Sequence, residues 1–228
     1  RFNFDDSIAD QVPTRVGGYV RRNNITDETL SHYRSHYGDG KIEKEDVFFY
    51  IYALLHHREY LEHHKEDLGK TLPRIPKCPR FWHYTQVGRR LAALHVNYET
   101  VEPFPLTEQW KSNTPVDPYQ ACAVERLRWD ETRAAKHTID IRYNDFLTIE
   151  GIPLEVNDYK VAGRSPLEWL INQYTRTEDS KTGTINDPNA CARQTANPRY
   201  LIDLISSLVT VSIETSRLIQ SLPAYTPQ

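Results

Sequence analysis

His32 and His36 stand four residues apart, a spacing that places two imidazoles on one face of a helix, and His56, His57, His63 and His64 form a second group. Imidazoles so arranged are the raw material of a zinc site, but such a site declares three or four ligands. No HExxH string accompanies either group, and no carboxylate or cysteine stands at a ligand spacing. Both groups fall on polar stretches. They are expected at the surface, with no metal held.

Nucleophilic chemistry has less to draw on. Cys78, Cys122 and Cys191 are far apart and odd in number, which argues against a disulfide framework and for a reducing, cytoplasmic compartment. There is no GxSxG and no glycine-rich phosphate loop. Asn186-Asp187-Pro188-Asn189 has the outline of an Asn/Asp-Pro-Pro-Tyr motif but lacks the aromatic residue that would stack on a flipped base. No catalytic residue, metal or cofactor is expected in this chain.

Anion binding is the chemistry that remains. The formal net charge is −3 and the isoelectric point about 6.3, which counts against a nucleic-acid partner when taken globally. Locally the balance reverses. Between Gly69 and Tyr98 there is no acid, while Lys70, Arg74, Lys77, Arg80, Arg89 and Arg90 all lie there, and Arg15, Arg21 and Arg22 repeat the pattern more weakly between Gln11 and Thr26. A polyanion responds to a local patch, although runs of charge are also the ordinary form of a solvated face. Phe81, Trp82 and Tyr84 beside Arg80 suit either base stacking or core packing. The stretch from Arg176 to Asn197 carries Lys181, Asn186, Asn189 and Arg193, side chains able to read base edges and equally common in any polar loop.

These residues need a scaffold, and the periodicities supply one. Thr26 is a helix N-cap, with Asp27 and Glu28 in the first turn, Ile25 and Leu30 as a hydrophobic staple and Gly38 as the stop. Val47, Tyr50, Ile51, Leu54 and Leu55 mark a core-facing helix over 44–57. A polar helix over 59–70 gives way to Pro73, Pro76 and Pro79, which force an extended basic crossing. A helix over 82–95 buries Tyr84, Val87, Leu91 and Leu94, and 101–116 reads as a loop. The period then changes to two, predicting an antiparallel meander around 138–162: strands at 139–143, 146–149 and 152–156 with turns at Asn144-Asp145 and Glu150-Gly151, and a short fourth strand at 159–161. Ser165-Pro166-Leu167-Glu168 opens a capped helix, and Asn197-Pro198 opens a long amphipathic helix that ends at Pro223.

The fold class is therefore α+β, mainly helical, with a β-meander and a long C-terminal helix. Its 228 residues and 26.6 kDa suit one large domain or two small ones. The mean hydropathy of −0.66 and the lack of a long apolar run exclude a membrane-spanning helix, and the opening residues form no signal peptide. Methionine is absent, so either the chain is a piece of a longer protein, which is the expectation, or modified methionines are missing from the sequence.

Five strings in order give a resemblance: KEDVFFYIYALLHHREY (44–60), LPRIP (72–76), FWHYTQVGRRLAALHVNYE (81–99), GIPLEVNDYKVAGRSPLEWLINQY (151–174) and NPRYLIDLISSLVTVSIET (197–215). Together they resemble the C-terminal specificity region of type ISP restriction–modification enzymes, large single-chain proteins often labelled DEAD/DEAH-box helicases. The resemblance implies one target recognition domain over 1–228, without catalysis of its own. The parent would be a nuclease, a helicase-like ATPase and an adenine-N6 methyltransferase, using S-adenosylmethionine, ATP and Mg2+. It implies double-stranded DNA as partner, together with the methyltransferase and motor domains of the same chain. The matching strings read as scaffold, so no base-contacting residue carries over. Within this reading the DNA-contact candidates are Arg74, Lys77, Arg80, Arg89, Arg90, Arg21, Arg22, Lys181, Asn186 and Asn189. The alternative is a docking domain that holds methyltransferase and motor together through the aromatic face of Val47 to Leu55.

Overall fold

The computed structural model describes residues 15–16, 19–20, 23–135, 137–178 and 180–227, the side chains of 15–16, 19–20 and 131–135 excepted. A minimal antiparallel pair, β1 (Arg15–Val16) and β2 (Tyr19–Val20), precedes a helical lobe. That lobe begins with α1 (Asp27–Tyr37), capped as the sequence dictates: Thr26 accepts a hydrogen bond from the Thr29 amide at 3.1 Å, and Gly38 ends the helix at φ 62°. Next comes α2 (Lys44–Leu54), in whose first turn the Asp46 carboxylate accepts from the Glu43 amide at 2.9 Å. The polar helix expected over 59–70 is two short ones, α3 (Arg58–His63) and α4 (Lys65–Leu68), broken at His64.

Residues 73–78 form neither helix nor strand, in keeping with their prolines. They lead to α5 (Phe81–Val96), which packs along α2 with Gly88 at the closest approach. A β-carbon there would lie 1.9 Å from the Phe49 carbonyl oxygen, so only glycine lets the two backbones come this near. Leu30, Tyr33, Val47, Tyr50, Leu54, Tyr60, Phe81 and Tyr84 make the core of this lobe.

The second lobe is a four-stranded antiparallel sheet with helices on its inner face. Its strands are β3 (Thr107–Trp110), β4 (Arg128–Ala135), β5 (Thr138–Arg142) and β6 (Leu147–Pro153), in the order β3-β6-β5-β4, and the short helix α6 (Pro118–Ala121) lies between β3 and β4. This corrects the sequence reading in five places. Thr107–Trp110, read as loop because of Pro103, Pro105 and Pro115, is an edge strand. Arg128–Ala135 is a strand that alternation of apolar residues does not announce. At Glu150-Gly151 the chain does not turn but continues as one strand through a bulge: Ile139 pairs with Ile152 and Ile141 with Ile149, leaving Glu150 and Gly151 opposite Asp140. Gly151 takes φ 86°, and its amide donates to the Asp140 carboxylate at 3.0 Å. A bulge needs glycine and a local acceptor as a turn does, hence the misreading. Leu154–Asn157 is a 3-10 turn rather than a strand, and Val161 only bridges Arg164.

Helix α7 (Pro166–Gln173) carries the expected box, with Ser165 accepting from the Glu168 amide at 3.3 Å and Glu168 accepting from the Ser165 amide at 2.6 Å. The stretch expected as a loop over 176–197 holds a hairpin, β7 (Thr177–Glu178) with β8 (Ile185–Asn186), and the short helix α8 (Ala190–Gln194). Last is α9 (Tyr200–Gln220). Its first half packs Leu201, Ile205 and Val209 with Ile141, Leu147, Ile149, Leu167 and Leu170 in the core of the sheet lobe. Its second half carries Leu218 onto Val87 and Leu91 of α5. One helix thus packs in the core of the sheet lobe and against α5 of the helical lobe. The mainly helical α+β class, with its antiparallel sheet and long C-terminal helix, is as the sequence predicts.

Candidate nucleic-acid interface

Three tyrosines, Tyr50 and Tyr60 buried and Tyr37 half-buried, hold the basic segment against the helical lobe by its backbone. The Tyr37 hydroxyl donates to the Cys78 carbonyl at 2.8 Å, and that of Tyr60 donates to the Arg74 carbonyl at 2.8 Å. Tyr50 does double work: its hydroxyl donates to the Pro76 carbonyl and accepts from the Cys78 amide, both at 2.7 Å. A segment outside helix and sheet must find partners for its polar groups, and these phenols supply them. Burial pushes the Tyr37 phenol up to about 12, so it stays protonated and able to donate.

What this platform presents is mixed. Arg74 and Arg80 are exposed, and neither makes an ion pair among the described residues. Arg80 sits at φ 63° as the N-cap of α5, a left-handed conformation that is unfavourable for a residue with a β-carbon. Lys77 is half-buried, its ammonium 5.7 Å from the centre of the Tyr33 ring. Arg90 is exposed on α5 without an ion pair among the described residues. Arg89 next to it is committed inward. It donates to the buried Asp46 carboxylate at 2.8 Å, lies 3.4 Å from Glu45 and stacks 4.5 Å from the centre of the Phe49 ring. The Asp46 hydrogen bond raises the Arg89 guanidinium further above its ordinary value.

Of the other candidates, Arg21 and Arg22 lie outside the described residues. Lys181 is exposed in the turn of the β7–β8 hairpin. Asn186 closes the base of that hairpin by donating to the Gln173 and Thr175 carbonyls at 3.2 and 3.1 Å. Asn189 grips the backbone of Val124 like a neighbouring strand, accepting from its amide at 2.8 Å and donating to its carbonyl at 2.9 Å. Arg89, Asn186 and Asn189 therefore have structural partners that the sequence does not disclose, whereas Arg74, Arg80 and Arg90 are surface charge.

The two histidine groups divide: His32, His36 and His63 lie at the surface as expected, and His56, His57 and His64 do not. His32 and His36 are exposed on α1. His56 hydrogen-bonds the Tyr52 carbonyl at 2.8 Å, and His95 sits between the Tyr52 hydroxyl at 2.8 Å and the Thr215 hydroxyl at 2.9 Å, joining α2, α5 and α9. Burial, with His56 nearby, pushes the His95 imidazole down to about 4. His57 and His83 donate to the carbonyls of Pro223 and Ser221 at 2.8 and 2.9 Å, and His64 meets the Tyr225 hydroxyl at 3.0 Å. These imidazoles pin the C-terminal segment to the helical lobe. Among the described residues no three His, Cys, Asp or Glu side chains are grouped so as to hold a metal ion, and no helix is long and apolar enough to cross a membrane.

Sequence reading misses the cations that strand pairing brings together. Arg128 on β4 and Arg142 on β5 are paired directly opposite each other, though fourteen residues apart in the chain. The signal that could have found them is the strand register, which the unseen β4 concealed.

Taken together, the chain is an α+β domain with a helical lobe, a covered antiparallel sheet and exposed cations on both. The family model for the type ISP C-terminal specificity domain matches residues 3–204. The chain belongs to that family. Among solved structures, the ATP-dependent type ISP restriction–modification enzyme LlaBIII bound to DNA is similar at a TM-score of 0.76 and 30% identity, over 92% of this chain and 13% of that one. A nuclease-deletion mutant of the type ISP enzyme LlaGI, in complex with a DNA substrate mimic, gives 0.70 and 33% over 83% of this chain and 14% of that one. DrdV in complex with DNA gives 0.73 and 32% over 91% and 20%. No curated protein matches. The chain spans between 13% and 20% of the length of these solved relatives.

Proposed function

We propose that this chain reads a short DNA target for a larger ATP-dependent restriction–modification enzyme, placing the duplex for adenine methylation and translocation-coupled cleavage carried out elsewhere in the parent. One observation carries the reading: relatives determined with DNA share this fold over as much as 92% of the chain at 30% identity. S-adenosylmethionine, ATP and Mg2+ would be held by those other parts, and the methyltransferase and motor domains would be the protein partners. The docking alternative loses its main support, because Val47, Tyr50 and Leu54 form the core of the helical lobe and Phe48 alone of that face is largely exposed.

The test is methylation-site mapping in cells carrying the full-length parent, wild type against a variant with Arg74, Lys77, Arg80 and Arg90 changed to glutamine. Arg89 is left in place because it neutralises Asp46. Adenine marked in one short sequence by the wild type supports the reading, and loss of the mark in a folded variant supports these cations as phosphate contacts. An unmarked genome with active parent protein overturns the reading.

A further inference from the structure

The outer face of the sheet carries a row of side chains assembled from all four strands. Arg128 of β4 pairs with Arg142 of β5, Arg142 with Thr148 of β6, and Thr148 with Gln109 of β3. Their neighbours Trp129, Ile141, Ile149 and Leu147 turn the other way into the core, so the row points outward. Arg126 is exposed two residues before Arg128, where the chain bridges to Thr175, and Lys111 is exposed just beyond β3, its amide on the Phe146 carbonyl at 2.9 Å. Arg126, Arg128, Arg142 and Lys111 make no ion pair among the described residues. Of the acids in the next row, Asp140 is buried and accepts from the Gly151 amide at 3.0 Å.

Like charges directly opposite on adjacent strands repel and lower stability. A sheet that nevertheless sets two arginines face to face, flanks them with two more cations and completes the row with threonine and glutamine has built a surface for a polyanion. Arginine forks, hydroxyls and amides are the groups that grip phosphate oxygens and fix the register of a duplex. We infer that the row Gln109–Thr148–Arg142–Arg128, with Arg126 and Lys111, is a phosphate-contacting surface for the DNA backbone. The inference rests on the proposed role in target reading and adds the surface that grips the duplex.

The test uses the full-length parent and a short duplex containing the sequence it methylates, with a scrambled duplex as control. Binding is measured over a salt series for wild type, R128Q/R142Q and the charge-matched K65Q/R217Q. Each lost phosphate contact lowers the slope of log K against log salt by about 0.9, so R128Q/R142Q is expected to lose roughly 1.8 of slope and bind both duplexes more weakly. K65Q/R217Q is expected to keep the wild-type slope. Because relieving the opposed charges does not weaken the sheet, the melting temperature of R128Q/R142Q is expected to equal or exceed that of wild type, which separates lost contacts from lost folding. If wild type distinguishes the two duplexes while R128Q/R142Q keeps its slope, the surface is not a phosphate contact and the target-reading role stands. Failure of wild type to distinguish them overturns that role and this inference together.

Discussion

A phenol that donates to one backbone group and accepts from another has no substitute among the other side chains, and Tyr50 is in that position between Pro76 and Cys78. Tyr50→Phe leaves a buried amide and a carbonyl unpaired, an expected loss of about 1–3 kcal/mol in urea unfolding. Tyr37→Phe releases one carbonyl only and is expected to lose less. His95 gives a prediction of different form. Its folded value of about 4 lies below its ordinary 6.5, so between these values the unfolded chain binds more protons than the folded one. Stability is therefore complete above about pH 6.5 and falls as pH drops toward 4. Titration of the unfolding free energy is expected to show that slope in wild type and a shallower one in His95→Gln. An unchanged slope would mean that another group sets the acid limit.

Between elements, the tightest constraint is at Gly88. Gly88→Ala must push α2 from α5, because the new β-carbon meets backbone rather than a movable side chain, and the expected destabilisation is at least about 1–3 kcal/mol by chemical unfolding. Ser165→Ala removes one half of the α7 capping box, for about 1 kcal/mol by the same measurement. The two positions also show what a sequence makes legible. Ser165-Pro166-Leu167-Glu168 is a local rule, read correctly because every partner lies within four residues; the same holds for Thr26 and Gly38. Gly88 looks like an ordinary weak point in a helix, since its reason, the Phe49 carbonyl, is thirty-nine residues away. The strands failed for related reasons. Gly151 satisfied the rule for a turn while serving a bulge, and β4, whose Arg128, Trp129 and Asp130 lack apolar alternation, takes its identity from pairing with β5. The candidate interface divides likewise. The basic run at 70–90 was visible because it is contiguous, and the Arg128–Arg142 pair was not, because only a sheet makes neighbours of those two residues. The inward duty of Arg89 needed Asp46 to be placed beside it.

At the scale of the molecule, two lobes are joined by α9 and by the C-terminal segment that follows it. Tyr225 lies among Tyr60, His57, His63 and His64, and its amide donates to Glu59 at 2.8 Å. Tyr225→Ala is expected to lower the melting temperature by several degrees, corresponding to roughly 1–2 kcal/mol for a chain of this size. The family match ends at residue 204, barely a turn into a helix that continues to Gln220. A chain cut at that point would keep the sheet's cover only as far as Leu204, and would strip Leu218 from Val87 and Leu91 and every tether from His57, His64 and His83. Where the family model stops and where a foldable body ends are thus two separate frontiers in this chain, and anyone excising the domain must follow the second, carrying the knife past the last turn of α9 and beyond Tyr225.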